Sequence, residues 1–285
     1  MKRRIPNWIK FKIPSGKTYQ KVRGVISGLD LHTICMEARC PNIGECFHCG
    51  TATFLILGNV CTRNCRYCSV VKGTPDIPDP TEPGRVAEAV KLLNLNYVVI
   101  TSVTRDDLTD GGASVFAETI EKIKGASGNV RVEVLVPDFK KSLSLSLDTV
   151  LAAGPDIINH NIEVVNSHYK KLRPMGDYGL SLKLIEKVSR KGVPAKSGLM
   201  IGFGETLREI KSTLKDLRNA GCSMVTVGQY LQSDPLGYEV KQYFTPEEFD
   251  EIGAYAEKLG FSSVQSGPMV RSSYHAGIMI DKLEA

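Results

Sequence analysis

A chain of 285 residues with 42% hydrophobic content can bury a sizeable core, and we expect one large α/β barrel rather than two ordinary domains. Its 36 Lys and Arg against 31 Asp and Glu give a net charge of +5, too small and too evenly spread to predict a nucleic-acid-binding protein. Eight cysteines without an apolar signal segment predict a reducing, cytoplasmic compartment, and because no apolar run approaches the roughly 20 residues that cross a bilayer, we expect no membrane association.

The first 30 residues are predicted to be extended. Pro6 and Pro14 interrupt any helix, and Trp8 offers one apolar anchor. We expect this segment to wrap around the main body of the protein.

A first group of cysteines follows at Cys35, Cys40 and Cys46, with the spacing C-x4-C-x5-C, and Cys49 lies shortly after it. The group lacks the paired C-x2-C knuckles of common zinc modules. Three soft thiolates this close in sequence favour an iron-sulfur cluster over a structural zinc ion.

The strand-like run 53–58 leads into a second group, Cys61, Cys65 and Cys68, with the spacing C-x3-C-x2-C. A 4Fe-4S cube has four irons, so three cysteines leave one iron open to a small molecule. A structural zinc ion would normally be closed by a fourth ligand. Zinc stays an alternative for this triplet, and a redox disulfide is a weaker one.

The remaining chain reads as repeating strand and helix. Short apolar or β-branched runs followed by helical periodicity lie at 97–102, 130–136, 156–161, 195–202 and 223–230, and a further run lies at 262–266. Thr206-Leu-Arg-Glu209 has the capping-box form, and Pro246 follows Thr245 at a first helical position. With the strand before Cys61 the repeat reaches six units, which predicts a parallel sheet, although periodicity alone does not separate a flat sheet from a curled one.

Several of these segments together resemble the lipoyl synthases, a family of radical S-adenosylmethionine (SAM) enzymes. The resemblance is carried by the sequence from Cys35 to Cys46, the run 50–58, the C-x3-C-x2-C loop with an aromatic before its last cysteine, and the motif Arg271-Ser-Ser-Tyr-His-Ala276. It runs from about Pro6 nearly to the C-terminus. It implies an α/β fold, a partial (β/α)6 radical SAM barrel whose N-terminal and C-terminal extensions cover the open face.

The resemblance also implies a division into three parts and two 4Fe-4S clusters. Residues 1–50 would carry the cysteines of an auxiliary, sulfur-donating cluster, residues 51–260 the barrel, and residues 261–285 a serine ligand. Cys61, Cys65 and Cys68 would hold the cluster that binds SAM, and Cys35, Cys40 and Cys46 the auxiliary cluster. We prefer Ser273 to Ser272 as its fourth ligand because the family places the ligand next to the tyrosine, and Cys49 is the competing candidate.

SAM-binding residues are expected mainly at the carboxyl ends of the strands, as in parallel barrels generally. By the resemblance, Tyr67 lies near the adenine, and Asn161 and Glu163 are candidates for the ribose or aminoacyl end. Further candidates, for the SAM carboxylate, the substrate or the same strand-end edge, are Thr101, Ser102, Arg105, Arg173 and Lys196. For any one of these residues, capping a helix or bridging a loop is an equally good interpretation.

The implied activity is a sulfurtransferase reaction of lipoate biosynthesis, in which two sulfur atoms are inserted at the sixth and eighth carbons of an octanoyl group on a carrier protein. The implied partners are octanoylated lipoyl carrier domains (the 2-oxo acid dehydrogenase acyltransferase subunit and the glycine cleavage H protein), a reductant such as ferredoxin or flavodoxin, and a cluster-repair carrier. The segment 233–238 departs from the family pattern where carrier docking is expected. Two alternatives stay open: another two-cluster radical SAM sulfur-inserting enzyme, and a zinc-stabilised binding module.

Overall fold

The structure, a computed structural model, describes residues 4–49, 52–234, 236–274, 276, 277 and 279. Its chain forms two compact units. We call residues 11–64 and 69–158 the N-terminal unit, and residues 1–10, 65–68 and 159–285, as far as they are described, the C-terminal unit. The three-part division expected from the resemblance is a different, functional one and stays a prediction.

The N-terminal unit alternates strands and helices over most of its length. Its elements are α1 (Lys17–Gly28), β1 (His32–Thr33), α2 (Ile34–Glu37), α3 (Ile43–His48), β2 (Thr53–Ile56), β3 (Val60–Cys61), β4 (Val71–Lys72), α4 (Glu82–Leu92), β5 (Tyr97–Ser102), α5 (Ala113–Ala126), β6 (Arg131–Leu135), α6 (Leu143–Ala152) and the start of β7 (Ile157–Asn159). Strands β2, β5 and β6 pair in parallel, and the short β1 pairs antiparallel with β2. Their Val and Ile side chains are buried, as expected for parallel strands covered by helices.

The C-terminal unit continues the same alternation. After a 3-10 turn (Asn166–His168) come α7 (Tyr169–Leu172), α8 (Tyr178–Arg190), β8 (Ala195–Ile201), α9 (Leu207–Asn219), β9 (Met224–Gln229), α10 (Pro246–Lys258) and β10 (Ser263–Gly267). Strands β8, β9 and β10 pair in parallel. The carboxyl ends of these three strands therefore lie at the same edge of the sheet.

Each strand predicted from the sequence is present, with ends that differ by at most two residues. Both predicted helix starts are confirmed: Thr206 and Thr245 cap α9 and α10 with complete capping boxes, and Pro246 is the first residue of α10. The caps satisfy backbone N–H groups that have no partner inside the helix.

The prediction that the first 30 residues are extended is wrong in its second half. Residues 4–16 contain turns but no helix or strand, whereas Lys17–Gly28 form α1. The buried residues of α1, Val22 and Ile26, are four apart and lie on one face, and this apolar face stabilises a helix that contains two glycines. Trp8 donates its indole N–H to the Phe244 carbonyl over 3.2 Å, which anchors the extended part.

Among the helices that the structure describes, none is long and apolar enough to span a membrane.

Candidate functional site

The first cysteine group lies on and between the short helices α2 and α3. Thr33 caps α2 by accepting from the Met36 N–H, and Cys40 donates its N–H to the Cys35 carbonyl over 2.9 Å. Burial, followed by the charge of Cys40, raises the pKa of Cys35 to about 12. Burial and then the charges of Cys35 and Cys40 raise the pKa of Cys46 far above its ordinary value. The three thiols therefore lie within electrostatic reach of one another.

Cys49, the spare thiol of this region, is exposed. Its charge also contributes to the raised pKa of Cys46, although less than the charges of Cys35 and Cys40 do. Thiolates that repel one another in this way are stabilised by a cation placed between them. The arrangement thus fits a positively charged group held by this cysteine group.

Cys61 ends β3, and the next two residues are tied to the loop after β5. Arg63 is buried and donates two hydrogen bonds to Asp106, of 2.7 and 2.9 Å, and two to Asp138, of 2.7 and 2.6 Å. We call these three residues the Arg63 clamp. The backbone N–H of Arg63 donates to Cys61 Sγ over 3.4 Å. Sequence reasoning did not single out Arg63.

Cys65, Tyr67 and Cys68 belong to the C-terminal unit. The segment is held by its backbone, since Arg66 donates its N–H to the Leu172 carbonyl over 2.9 Å and accepts from the Tyr238 N–H over 3.1 Å. The ring of Tyr67 packs against Phe203, with ring centroids 6.1 Å apart. Its position beside the last cysteine is thus fixed by packing.

Burial is the main cause of the raised pKa of Tyr67. The charge of Glu163 raises it further, and the charge of Arg173 acts in the opposite direction. These interactions place Tyr67, Glu163 and Arg173 in one region of the C-terminal unit, together with Cys65 and Cys68, whose charges also act on Tyr67. Five residues singled out from the sequence are thereby brought together.

Asn161 and Glu163 lie in the loop that follows β7. Glu163 exchanges backbone hydrogen bonds with β8, donating to the Gly198 carbonyl over 2.9 Å and accepting from the Met200 N–H over 2.8 Å. Its φ of 69° is in the left-handed region, which is unusual for a residue with a side chain and is often associated with functional loops. The Asn161 amide donates to Glu163 Oε1 over 3.2 Å.

Charge and burial oppose each other at the Glu163 carboxyl. Burial raises its pKa above the ordinary value, while the Arg173 guanidinium and the Asn161 hydrogen bond act to lower it. Arg173 itself is buried. The guanidinium therefore favours the ionised form of this carboxyl, against the effect of burial.

Two buried polar atoms of this region have no hydrogen-bond partner among the residues that the structure describes: Asn161 Oδ1 and Arg173 Nε. Gly198 of β8 leaves room at the same place, because a Cβ there would come within 2.7 Å of Asn161 Oδ1. Unsatisfied buried polar atoms are costly and call for a ligand or ordered water. The residues present thus fit a polar cofactor that offers both a donor and an acceptor.

Arg173 is supported from behind by a buried hydrogen-bond chain that the sequence did not reveal. Its Nη1 donates to the Tyr169 hydroxyl over 2.6 Å and to the Asn161 and Ile162 carbonyls over 3.2 and 3.3 Å. The Tyr169 hydroxyl is 2.8 Å from Ser181 Oγ, which is 3.0 Å from His160 Nε2. From the sequence alone, His160 could be a ligand or a residue that supports one. In the structure it belongs to the hydrogen-bond chain that supports Arg173.

The other candidates predicted from the sequence have mixed surroundings. Thr101 donates its hydroxyl to the Leu135 carbonyl over 3.0 Å, whereas Ser102 Oγ is buried without a partner in the described chain. Arg105 uses its guanidinium on Asp107 and on the carbonyls of Asp76 and Leu57. Lys196 is fully buried, but it is the second residue of β8 and so lies at the amino end of that strand.

The C-terminal serine motif is described up to Tyr274, and His275 lies outside the described residues. Ser272 Oγ accepts from the Asn161 amide over 3.3 Å, whereas the structure gives the Ser273 hydroxyl no hydrogen bond to a described residue. The segment approaches β9 closely, since a Cβ on Gly228 would come within 2.1 Å of the Val270 carbonyl oxygen. A glycine is therefore required where this segment crosses the strand.

No three His, Cys, Asp or Glu side chains among the described residues converge as they would around a single metal ion. A cube binds each thiolate at a different iron, so its ligands do not converge on one point.

Comparison with known families identifies two matching sequence profiles. The profile of the radical SAM superfamily matches residues 55–217, and that of the N-terminal domain of lipoyl synthase matches residues 1–40. The first match alone covers more than half of the chain.

Curated relatives match nearly the whole chain. The lipoyl synthase of Methylococcus capsulatus is 51% identical over 275 residues, which cover 96% of this chain and 85% of the relative. The lipoyl synthase of Nitrosococcus oceani is 50% identical over 277 residues, covering 96% and 86% of the two chains. That of Pelodictyon phaeoclathratiforme is 48% identical and covers 98% and 95%.

Solved structures give the same fold at low identity. Methylornithine synthase (PylB) superposes with a TM-score of 0.55 at 14% identity and covers 88% of this chain and 84% of its own. SuiB of Streptococcus suis, bound to its precursor peptide SuiA, has a TM-score of 0.56 at 11% identity and covers 79% and 52%. Likeness at this identity shows the fold alone, and it confirms the predicted α/β class.

Proposed function

Because the chain belongs to the lipoyl synthase family of the radical SAM superfamily, we propose that its two cysteine groups and the polar cluster around Asn161 perform the sulfur insertion of that family. The substrate is a protein-bound octanoyl group, which receives sulfur at its sixth and eighth carbons. These C–H bonds are unactivated, so no His or carboxylate can remove their protons at a useful rate. When bound, SAM on one cluster supplies one-electron chemistry for hydrogen removal and the other cluster supplies sulfide.

Cys61, Cys65 and Cys68 are the proposed ligands of the SAM-binding cluster. Support comes from their spacing, from the N–H of Arg63 that donates to Cys61 Sγ, and from the backbone bonds that fix the segment around Cys65 and Cys68. Preorganised ligands lose little entropy when a cluster enters. Three ligands leave one iron for SAM.

Asn161, Glu163 and Arg173 are the proposed polar contacts of SAM, with Tyr67 beside its adenine. The observation that carries this proposal is the pair of buried atoms without a partner in the described chain, Asn161 Oδ1 and Arg173 Nε, with Gly198 leaving room for Asn161 Oδ1. A cofactor with both amino and carboxylate groups would satisfy an acceptor and a donor at once. Thr101, Ser102 and Lys196 stay predictions of the sequence.

Cys35, Cys40 and Cys46 are the proposed ligands of the auxiliary cluster, with Ser273 as the fourth. The mutual charge effects of the three thiols support the first part. The engagement of Ser272 by Asn161 supports Ser273 over Ser272. A serine oxygen is a harder donor than a thiolate, so Ser273 would hold its iron differently from the three cysteines, and the cluster would supply the sulfide.

The test separates the two cysteine groups. Anaerobically reconstituted wild-type protein should carry about eight irons per chain, as expected for two cubes. Replacing Cys61, Cys65 and Cys68 together with alanine should remove about half of the iron and abolish SAM cleavage. Replacing Cys35, Cys40 and Cys46 should also remove about half of the iron, but SAM cleavage should persist while the lipoyl product is lost.

Cys222→Ala is the matched control, because Cys222 is buried in the C-terminal unit and donates to the Ala195 and Met224 carbonyls. It should keep all of the iron. Tightly bound zinc in place of iron, or unchanged iron in either triple variant, would contradict the proposed function.

The proposed function also includes the carrier proteins that present the octanoyl group and the reductant that supplies electrons. We expect octanoylated lipoyl domains or H protein as substrates, ferredoxin or flavodoxin as reductant, and a cluster-repair carrier. The departure of segment 233–238 from the family pattern leads us to expect a preference among carriers, which competition between two octanoylated carriers would measure.

A further inference from the structure

Arg63 makes two kinds of contact that no sequence motif assigns. Its backbone N–H donates to Cys61 Sγ over 3.4 Å, and its side chain forms the Arg63 clamp with Asp106 and Asp138. Backbone and side chain of one residue thus connect a proposed cluster ligand to two distant carboxylates.

The geometry of the clamp fixes the position and the rotation of the guanidinium. Nε and Nη2 donate to the two oxygens of Asp106, and Nη1 and Nη2 donate to the two oxygens of Asp138. Only 3% of the Arg63 side chain and none of the Asp138 side chain is exposed. Two bidentate pairs on one planar group leave it little freedom to rotate, which a single ammonium could not achieve.

Thr62 extends the same restraint to the neighbouring backbone. Its N–H and its hydroxyl both donate to the Thr104 carbonyl, over 3.1 and 2.9 Å, and its Oγ1 accepts from the Asp106 N–H over 3.1 Å. Both residues that follow Cys61 are therefore fixed to the loop after β5, the loop that also carries Asp106.

We propose that Arg63 is a positioning residue whose clamp holds its backbone N–H on Cys61 Sγ and thereby sets the reduction potential of the cluster bound there. This inference rests on the proposed function, which places a cluster at Cys61. An N–H that donates to a cysteine sulfur stabilises the extra negative charge of the reduced cluster, and so raises its potential. A loop that moved freely would lose this stabilisation.

The cost of the clamp favours a positioning role over a purely stabilising one. Burying Arg63 and the Asp138 carboxylate, with Asp106 partly exposed, carries a desolvation penalty, and apolar side chains of similar volume often stabilise a fold as well or better. What an apolar core does not supply is a directed anchor for a particular backbone N–H. The two bidentate pairs of Arg63 with Asp106 and Asp138 supply that anchor.

The variant Arg63→Lys keeps the positive charge and removes both bidentate pairs with Asp106 and Asp138. It therefore separates the effect of the hydrogen-bond geometry from the effect of the charge. In a redox titration of the reconstituted full chain followed by electron paramagnetic resonance, we expect a lower midpoint potential. At a solution potential fixed at the wild-type midpoint, the ratio of reduced to oxidised cluster should fall by about threefold, the effect of losing one weak hydrogen bond. The g values of the reduced cluster should shift, and amide exchange over 61–64 should speed up in the protein without clusters.

Two further variants complete the test. Thr62→Val is nearly isosteric and uncharged, and it should lower the potential in the same direction by a smaller amount. Tyr97→Phe is the matched control, because it removes a hydrogen bond to the buried carboxylate of Glu133 in the same unit without touching the cysteine loop. It should lower the melting temperature and leave the potential and the g values unchanged.

An unchanged potential and unchanged amide exchange in Arg63→Lys, with only the melting temperature lowered, would overturn the inference. If Arg63→Lys does not fold, Thr62→Val decides, and a wild-type potential in that variant overturns it equally. Absence of any cluster signal that depends on Cys61 in the wild-type protein would instead contradict the proposed function, so the two failures are distinguishable.

Discussion

The hydrogen-bond chain behind Arg173 has a direction that follows from its partners. Ser181 donates its hydroxyl to the Asp177 carbonyl over 3.0 Å, so it accepts from the Tyr169 hydroxyl and from His160 Nε2. Tyr169 in turn accepts from Arg173 Nη1. The Tyr169 hydroxyl is thus itself held by Ser181, and it orients Arg173 as a fixed acceptor.

Tyr169→Phe should therefore weaken SAM binding. Arg173 loses one charged hydrogen bond and gains freedom to turn, so the dissociation constant for SAM should rise by about three- to tenfold. Equilibrium binding to the reconstituted protein would measure it, with iron content as a check that both clusters remain.

Tyr178→Phe is the control for that experiment. Tyr178 packs edge-to-face on Tyr169, but its hydroxyl donates to Asp216 over 2.9 Å and takes no part in the chain. Equal losses of SAM affinity in the two variants would show that general loosening, and not the orientation of Arg173, is responsible.

At this scale the sequence singles out candidate ligands but not the residues that support them. The cysteines, Asn161 and Glu163 carry a recognisable spacing or place after a strand. The carboxylates that hold Arg63 are 43 and 75 residues away from it in the chain. No local pattern encodes such a pairing, because it depends on how separate loops pack.

Helix ends and strands were the elements best predicted. Runs of β-branched residues and the two Thr capping boxes are local signals, and local signals dominate where the packing agrees with them. Helix α1 was missed because its sequence carries glycines and few apolar residues, and its stability comes from burying Val22 and Ile26.

The capping box of α9 gives a stability prediction with a pH dependence. Hydrogen bonds from Ser167, and then from Thr206, lower the pKa of Glu209 to about 2. Since the folded pKa lies below the unfolded value, the stabilisation is present at neutral pH and is lost as the pH falls through about 4.5 toward 2. Glu209→Gln should be less stable than wild type at pH 7 and approach it at low pH.

Urea unfolding of both proteins at pH 7 and at about pH 3 would measure this difference, because most of the stabilisation is lost between the unfolded and the folded pKa. Thr206→Ala, which removes the other half of the box, should cost about 1 kcal/mol at pH 7. A Glu209→Gln deficit that did not shrink between the two pH values would contradict an electrostatic origin.

Gly228 of β9 allows the Val270 carbonyl to approach, and it should be intolerant of change. Gly228→Ala would place a Cβ where that carbonyl oxygen lies, so the segment carrying Ser272 and Ser273 must move. We expect loss of lipoyl product and weakened auxiliary iron, with SAM cleavage retained. Gly125→Ala, in α5 with open space at its Cβ, is the neutral control.

At the scale of the molecule, the proposed sacrificial cluster limits the number of turnovers. Purified protein without a repair carrier should form about one lipoyl group per chain, because each product consumes the sulfide of one auxiliary cluster. Quantifying the lipoyl product per chain, with SAM and reductant in excess, would measure it. Sustained turnover without repair would contradict the role of the auxiliary cluster.

The fold class followed from the sequence, whereas the make-up of the two units did not. The C-terminal unit takes the described residues 4–10 and residues 65–68 from distant parts of the chain. Backbone bonds such as that from Arg66 to Leu172 join segments more than a hundred residues apart. The strand and helix pattern contains no information on such joins, since they depend on packing between elements.

The raised pKa values of Cys35 and Cys46 also affect how fast these thiols are oxidised in the protein without clusters. Oxidants and alkylating agents attack thiolates, and a thiol with a pKa of about 12, as at Cys35, is ionised at neutral pH in about one molecule in a hundred thousand. Without a cluster, the buried Cys35 thiol should therefore resist disulfide formation and sulfenylation far longer than the exposed Cys49. Each thiol must release its proton to bind iron, so cluster loading should accelerate as the pH rises.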